Sequence, residues 1–176
     1  MRSLSVAKRA ASVLAVSATL LAAGCANSSP GVVAYVGDEK ISEKQVTAAV
    51  AAVQTTAQEG QTISRDAVIN AMIQGELSAQ IARDKRLSIS DAERDAFLKT
   101  TNLAPLLSVA GAKPIAYDVA DQQLVLKQLG EAPYLAEIQQ RKVELNPRYG
   151  VLDPKQQAII TDQSGSLSEP EATQTP

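Results

Sequence analysis

VVAYVGDEKIS, running from Val32 to Ser42, sets the architecture of this chain. Val32 to Val36 is β-branched and aromatic and is bounded by Gly31 and Gly37, which predicts a strand. Gly37-Asp38 is a turn signal, and Glu39-Lys40-Ile41 reads as a short return strand. Ser42-Glu43-Lys44-Gln45 is a capping box, with Ser42 as N-cap and Gln45 at the third helical position. A strand, a tight turn and a capped helix start follow one another directly.

Towards the C-terminus the pattern turns helical. Val46, Ala49, Val50 and Val53 recur at helical spacing, and the helix they line is expected to end near Glu59-Gly60, where glycine takes a left-handed conformation. Ser64 caps a second helix reaching about Lys85, with Val68, Ile69, Met72, Ile73, Leu77 and Ile81 on its apolar side. Gly75 costs that helix about 1 kcal/mol relative to alanine, and it marks a close helix crossing. Ser90-Asp91-Ala92-Glu93 is a second capping box, opening a third helix through Phe97 and Leu98. From Asn102 to Pro114 the chain reads as irregular, with Pro105, Gly111 and Pro114 as breakers. Asp118 is expected to cap a fourth helix carrying Leu124, Val125, Leu126 and Leu129, stopped by Gly130. Pro133 suits the first turn of a fifth helix, with Tyr134, Leu135 and Ile138 on one side. Val143-Glu144-Leu145 alternates and meets Asn146-Pro147, a short strand ending in a turn. Residues 162–176 are polar, small and proline-containing, and are expected to be disordered. No internal repeat is visible.

Towards the N-terminus, Ala26 to Gly31 reads as a flexible tether following Cys25, so residues 25–31 form a lipidated linker. Asn27-Ser28-Ser29 fits a glycosylation sequon by chance. Arg2, Lys8 and Arg9 precede an uncharged run from Ala10 to Ala23, which is the layout of a secretory signal peptide. Cys25 is the sole cysteine, and Ala23-Gly24-Cys25 resembles a bacterial lipobox. That resemblance implies cleavage after Gly24, which makes residues 1–24 the leader, and a diacylglycerol thioether on Cys25. It departs from the usual pattern at Ala22, where a larger aliphatic residue is common. Two other readings stand beside it. One is an ordinary secreted protein cut near Gly24 or Ala26. The other is a transmembrane anchor, for which the run falls short of the roughly 20 residues a bilayer needs.

Without residues 1–24 the chain has 152 residues, enough for one domain with a real core. Lys+Arg falls from 17 to 14 against 19 Asp+Glu, a net charge of −5. Such a balance argues against nucleic acid as a partner and against a basic lipid-binding surface, so membrane attachment falls to the acyl chains on Cys25. Histidine and tryptophan are absent, which excludes Ser/His/Asp and Cys/His catalysis in their usual forms and zinc or copper sites built on His or Cys. No cofactor or metal is expected. Without a cysteine pair the domain holds together by packing alone. Aromatics are limited to Phe97, Tyr35, Tyr117, Tyr134 and Tyr149, and a core of Ala, Leu, Ile and Val suits helices better than a sandwich.

Three segments, in order, resemble the N-terminal peptide-binding domain of the SurA/PrsA/trigger-factor group of extracytoplasmic folding factors. They are Val32 to Ser42, Ile81 to Glu93 (IARDKRLSISDAE), and Val143 to Asp153 (VELNPRYGVLD), whose Arg148-Tyr149-Gly150 is the most distinctive part. The chain departs from the group at Gly37-Asp38, where Asn-Gly is commoner, and at Arg86, where glycine is common. The resemblance implies a mostly α domain over residues 32–161, in which Val32–Val36 and Val143–Asn146 pair in one small sheet. Many relatives also carry a parvulin prolyl isomerase domain. The interval from Asn102 to Lys142 is too short for one, and the histidines of parvulin sites are absent, so isomerase activity does not carry over.

The function expected from this is a membrane-anchored, extracytoplasmic lipoprotein that binds exported unfolded polypeptides non-catalytically, as a holdase does. The alternative is an accessory lipoprotein binding one specific folded envelope partner, and fold alone does not separate the two. An enzyme is not expected. The carboxylate pairs Asp91/Glu93 and Asp118/Asp121 invite an acid/base reading, but helix N-terminal charges stabilised by the helix dipole explain them better. Ser/Lys combinations exist without any spacing that joins them. Arg148 beside Tyr149 reads as structural, bonding neighbouring carbonyls or a carboxylate.

Overall fold

A computed structural model describes residues 30–57 and 62–159. The expected leader at 1–24, Cys25, most of the expected tether, Gly60 and residues 162–176 lie outside the described residues. The fold is mostly α with small antiparallel sheets. Strand β1 (Val32–Val36) and β2 (Glu39–Ser42) lead into α1 (Glu43–Gln54), α2 (Arg65–Lys85) and α3 (Asp91–Leu98). A 3-10 turn at Ala104–Ser108 precedes α4 (Lys113–Leu129) and α5 (Glu131–Gln139). Then come β3 (Val143–Leu145), a 3-10 turn at Pro147–Tyr149, and the hairpin β4 (Leu152–Asp153) and β5 (Ala158–Ile159).

The first sheet has the order β2-β1-β3. Pairing runs Tyr35 with Lys40 on one side and Tyr35 with Glu144 on the other, so the chain's two ends share β1. Gly37 has φ +58 while Asp38 stays at negative φ, the Gly-X pattern of a type II′ hairpin turn. That is why Gly-Asp serves here in place of Asn-Gly. Gly31, assigned to the tether by sequence, belongs to the fold: its carbonyl accepts from Glu43 N–H at 2.9 Å.

Ser42 caps α1 in both directions of the capping box, Gln45 N–H to its Oγ at 3.3 Å and its own N–H to Gln45 Oε1 at 2.8 Å. The helix stops at Gln54, short of the expected Glu59-Gly60 end. The Thr55 and Thr56 hydroxyls donate to the carbonyls of Ala52 and Val53 at 2.7 and 2.8 Å, satisfying groups that would otherwise call for another turn. Helix α2 is about 32 Å long at 1.5 Å per residue, and runs through the centre of the molecule. It ends at Arg86, which adopts the left-handed conformation at φ +56. Helix α3 opens with the second capping box, Ser90 with Glu93.

Helix α4 corrects the sequence reading. It begins at Lys113 with Pro114 in its first turn, and the preceding Ala112 makes no side-chain cap. Proline is tolerated there because its missing N–H has no intrahelical partner to lose. Pro114 therefore starts the helix, and Asp118 lies inside it.

Two apolar clusters share α2. Val33, Val36, Ile41, Val46, Ile73, Leu77, Ile81, Val125, Tyr134 and Ile138 fill the one beneath the sheet. Val53, Val68, Leu98, Leu106, Ile115, Ala116 and Ala120 fill the other, beneath α3 and the 3-10 turn. Val50 and Met72, expected in the core, are half-buried and touch both clusters. The β4–β5 hairpin was not anticipated from sequence. It is fastened to α2 by Ile159 N–H to Asn70 Oδ1 at 2.7 Å, and by Gln74 Nε2, which donates to the carbonyls of Gln156 and Gln157 at 2.9 Å.

Candidate functional site

Helices α2 and α4 cross where α2 carries no side chain. A Cβ on Gly75 would overlap the Cβ and carboxyl of Asp118, so glycine alone lets α4 lay an aspartate across α2 at this point. The sequence signal for a close crossing at Gly75 is borne out, and the crossing partner is a carboxyl group.

Asp121 lies one turn further along α4. It takes two hydrogen bonds from Arg94 of α3, Nε to Oδ1 at 2.6 Å and Nη2 to Oδ2 at 3.1 Å. Arg94 Nη1 also donates to Asp91 Oδ1 at 2.8 Å. This fork geometry is the strong form of an arginine–carboxylate pair, and it raises Arg94 further above its already high range. The Arg94 guanidinium stands 5.3 Å from the Tyr117 ring centroid and the Lys113 ammonium 4.8 Å from it, both at cation–π distance. The Tyr117 hydroxyl donates to Asp95 Oδ1 at 2.7 Å. Lys113 is held above the ordinary lysine range by the Tyr117 hydroxyl, with Asp95 adding to it.

Asp118 stands apart from this network. Among the described residues its carboxyl makes no hydrogen bond and no ion pair. Burial pushes its pKa from 3.8 up to about 8, with the negative charges of Asp121 and Glu76 adding to the shift. It lines an open cleft of about 470 Å³ with Arg94, Lys113, Tyr117 and Asp121. On the other side of the Arg94–Asp121 pair a second cleft of about 230 Å³ is floored by Ala79, Ala82, Leu87 and Ile89. The Arg94–Asp121 pair thus borders both clefts, and each mixes apolar with charged lining, with Arg83 in the smaller and Ala110 and Pro114 in the larger.

The carboxylate pairs divide. Asp91 and Glu93 lie in the first turn of α3 as expected, with Glu93 lowered by the Ser90 backbone N–H and the Ser90 hydroxyl. Asp118 and Asp121 do not lie at a helix N-terminus, because α4 starts earlier than the sequence suggested. Arg94 was not singled out from sequence. Its only local signal is Asp91 at i−3, since Asp121 reaches it from another helix. The bonding to a carboxylate expected of Arg148 is made by its neighbour: Tyr149 donates to Glu43 Oε2 at 2.6 Å, and the arginine that joins them is Arg65, paired with Glu43 Oε1 at 2.6 Å. Arg148 is exposed. Cys25, the residue expected to carry the lipid, lies outside the described residues. Among those described, no helix is long and apolar enough to cross a membrane.

Compared with known proteins, the chain matches no family model, no curated protein and no solved structure.

Proposed function

We propose that this chain is a membrane-anchored, extracytoplasmic lipoprotein that binds exported, unfolded polypeptides without catalysis, in the manner of a holdase. The observation that carries the reading is the double cleft. A hollow at Leu87, Ile89 and Arg83 and another at Tyr117, Lys113 and Pro114 adjoin across Arg94–Asp121, each mixing apolar with charged lining. A short segment carrying both apolar and polar side chains fits such a surface. The anchor rests on Cys25 and the leader before it, and the non-catalytic character on the absence of histidine and the commitment of the one thiol to lipid.

Among the described residues, Val151 is the only large hydrophobic residue that is mostly exposed. Capture of clients on a broad apolar face calls for patches of several hundred Å², so binding is by short segments in the clefts. The same scarcity favours a second reading, an accessory lipoprotein docked on one folded envelope partner.

The test uses the whole lipidated chain in lipid nanodiscs, titrated into a refolding, aggregation-prone client while light scattering is followed. Suppression near stoichiometric amounts, absent with a folded control, supports the holdase. No suppression with several unrelated clients overturns it, and crosslinking from the membrane then seeks the single partner.

A further inference from the structure

The β4–β5 hairpin is held to the rest of the protein by its backbone. Gln74 Nε2 donates to the carbonyls of Gln156 and Gln157, and Asn70 Oδ1 accepts from the Ile159 N–H. Gln139 Nε2 reaches the Lys155 carbonyl at 3.5 Å. Among the described residues no ion pair ties the hairpin down. Its side chains supply one deep anchor, Ile159, buried against the cluster beneath the sheet, with Leu152 half-buried beside it.

Gln74 is itself 7% exposed, and a buried amide is costly unless its bonds are made. Its Oε1 accepts from Gln122 Nε2 of α4 at 3.4 Å, which leaves Nε2 aimed at the hairpin. Asn70 and Gln74 stand one turn apart on the same face of α2. Together they read carbonyls and an N–H, groups that every polypeptide carries, and leave the choice of side chain to the Ile159 pocket.

The hairpin is the weaker half of this contact. Its strands have two residues each and pair only with one another, apart from the β2-β1-β3 sheet. Gln157 sits in the left-handed region at φ +51. Gly150, where the hairpin leaves the 3-10 turn, has φ +115 and ψ −159, a region that glycine alone tolerates. A Cβ there would stand 3.1 Å from Ile159 Cγ2. Rotation at Gly150 frees residues 151–159 and leaves Tyr149 on Glu43 and β3 on β1.

We propose that the hairpin is a strap over a polypeptide-binding groove on α2, and that an extended segment of a bound chain takes its place. The segment sets carbonyls on Gln74, an N–H on Asn70 and an aliphatic side chain in the Ile159 pocket, with a small residue before it as Ala158 is. The inference rests on the polypeptide-binding reading above and adds a site that the closed structure covers. It also fits the scarcity of exposed apolar surface, because this groove is bared only when the strap leaves.

The experiment uses the whole lipidated chain in nanodiscs, with amide hydrogen exchange followed by NMR, and three capped peptides. The first copies residues 152–159. The second keeps only the final Ala-Ile and has glycine and serine elsewhere. The third is the first with aspartate in place of its isoleucine. At about ten times its apparent Kd, each of the first two should speed exchange of the Ile159 N–H about tenfold or more, while Ile73 and Leu77 of α2 keep their protection. The third should do nothing. Gly150→Ala strains the closed strap and not the open one, so it should tighten binding of the second peptide about fivefold. If that variant does not fold, exchange in the native chain decides the matter. Unchanged exchange at Ile159, or equal acceleration in α2, overturns the inference. A response to the first peptide alone also overturns it, since the groove would then take only a second copy of this hairpin. A chain that suppresses aggregation with no release of Ile159 keeps the holdase reading and loses this one, and release without suppression separates them in the other direction.

Discussion

Asp118 makes a single residue visible in the pH dependence of the whole fold. In the unfolded chain it ionises near 3.8, and in the folded chain near 8. Between those values the folded state binds the extra proton, so stability is greatest below the lower value and falls as pH rises towards the upper one. Glu43 and Glu93 act in the opposite direction and at lower pH. Their pKa values are lowered, by the Tyr149 hydroxyl and by Ser90 respectively, so what they contribute is lost as pH drops through the carboxylate range. Urea midpoints measured from about pH 5 to pH 9 should decline in the native chain and stay flat in Asp118→Asn. A parallel decline in both would remove Asp118 as the cause. Gly75 has the complementary steric role. Alanine would gain about 1 kcal/mol of helix propensity, yet its Cβ would overlap Asp118. Gly75→Ala should therefore destabilise the fold by about 1–3 kcal/mol, read as a lowered urea midpoint. Arg86 sits at φ +56, a conformation that costs a non-glycine residue about 1 kcal/mol. Arg86→Gly should raise stability by up to that amount in the same assay.

At the scale of elements, what a stretch of chain does to itself was legible and what it does to distant stretches was not. Both capping boxes, the strand and turn at Val32–Asp38, the start of α2 at Ser64 and the stop at Gly130 are local, and each is where the sequence put it. The resemblance, not periodicity, supplied the pairing of β1 with β3, and the structure bears that pairing out. The failures have physical causes. Threonine hydroxyls ended α1 before the glycine reading took effect. Pro114 was read as a breaker when it was an N-terminal residue, and this hid Asp118 inside α4. Two-residue strands such as β4 and β5 are too short for any period to register. The cleft was illegible for the same reason as Arg94–Asp121: it exists only once α3 lies against α4. Local elements permit local predictions. Ser90→Ala removes one half of the capping box and leaves Glu93 without its reciprocal partner, so it should cost about 1 kcal/mol. Because α3 is a single short helix packed chiefly through Leu98, hydrogen exchange should speed up first in Asp91–Arg94, ahead of α2.

At the scale of the molecule, the two ends of the described chain are tied to each other and to α2, and the ties differ in strength. Asn146 is the more enclosed. Its backbone N–H donates to Val33 O at 2.8 Å, its Nδ2 to Val32 O at 3.0 Å, and its Oδ1 accepts from Arg148 N–H at 3.1 Å. The two side-chain bonds satisfy the carbonyl of buried Val32, the first residue of β1, and the N–H of exposed Arg148 in the 3-10 turn. Alanine would strand the Val32 carbonyl while water replaces the partner of the Arg148 N–H, so Asn146→Ala should cost about 1–3 kcal/mol. The Tyr149–Glu43 bond is more exposed, with the Glu43 side chain 41% accessible, and Arg65 remains on Glu43 when the hydroxyl is removed. Tyr149→Phe should therefore cost less, about 1 kcal/mol or below. Neither change should produce a separate early transition. The strand that Asn146 closes packs on α2 through Val33 and Val36, and the following hairpin is bonded to Asn70 and Gln74 of that same helix. Loosening the closure loads a helix that both apolar clusters share, so the whole domain should unfold together at a lower denaturant concentration. Far-ultraviolet and tyrosine near-ultraviolet signals should coincide in both variants, with Asn146→Ala shifted further. A reversed order would place the main tie between the ends at the hydroxyl, and divergent transitions would mean that the sheet and the α3–α4 half fold as separate units.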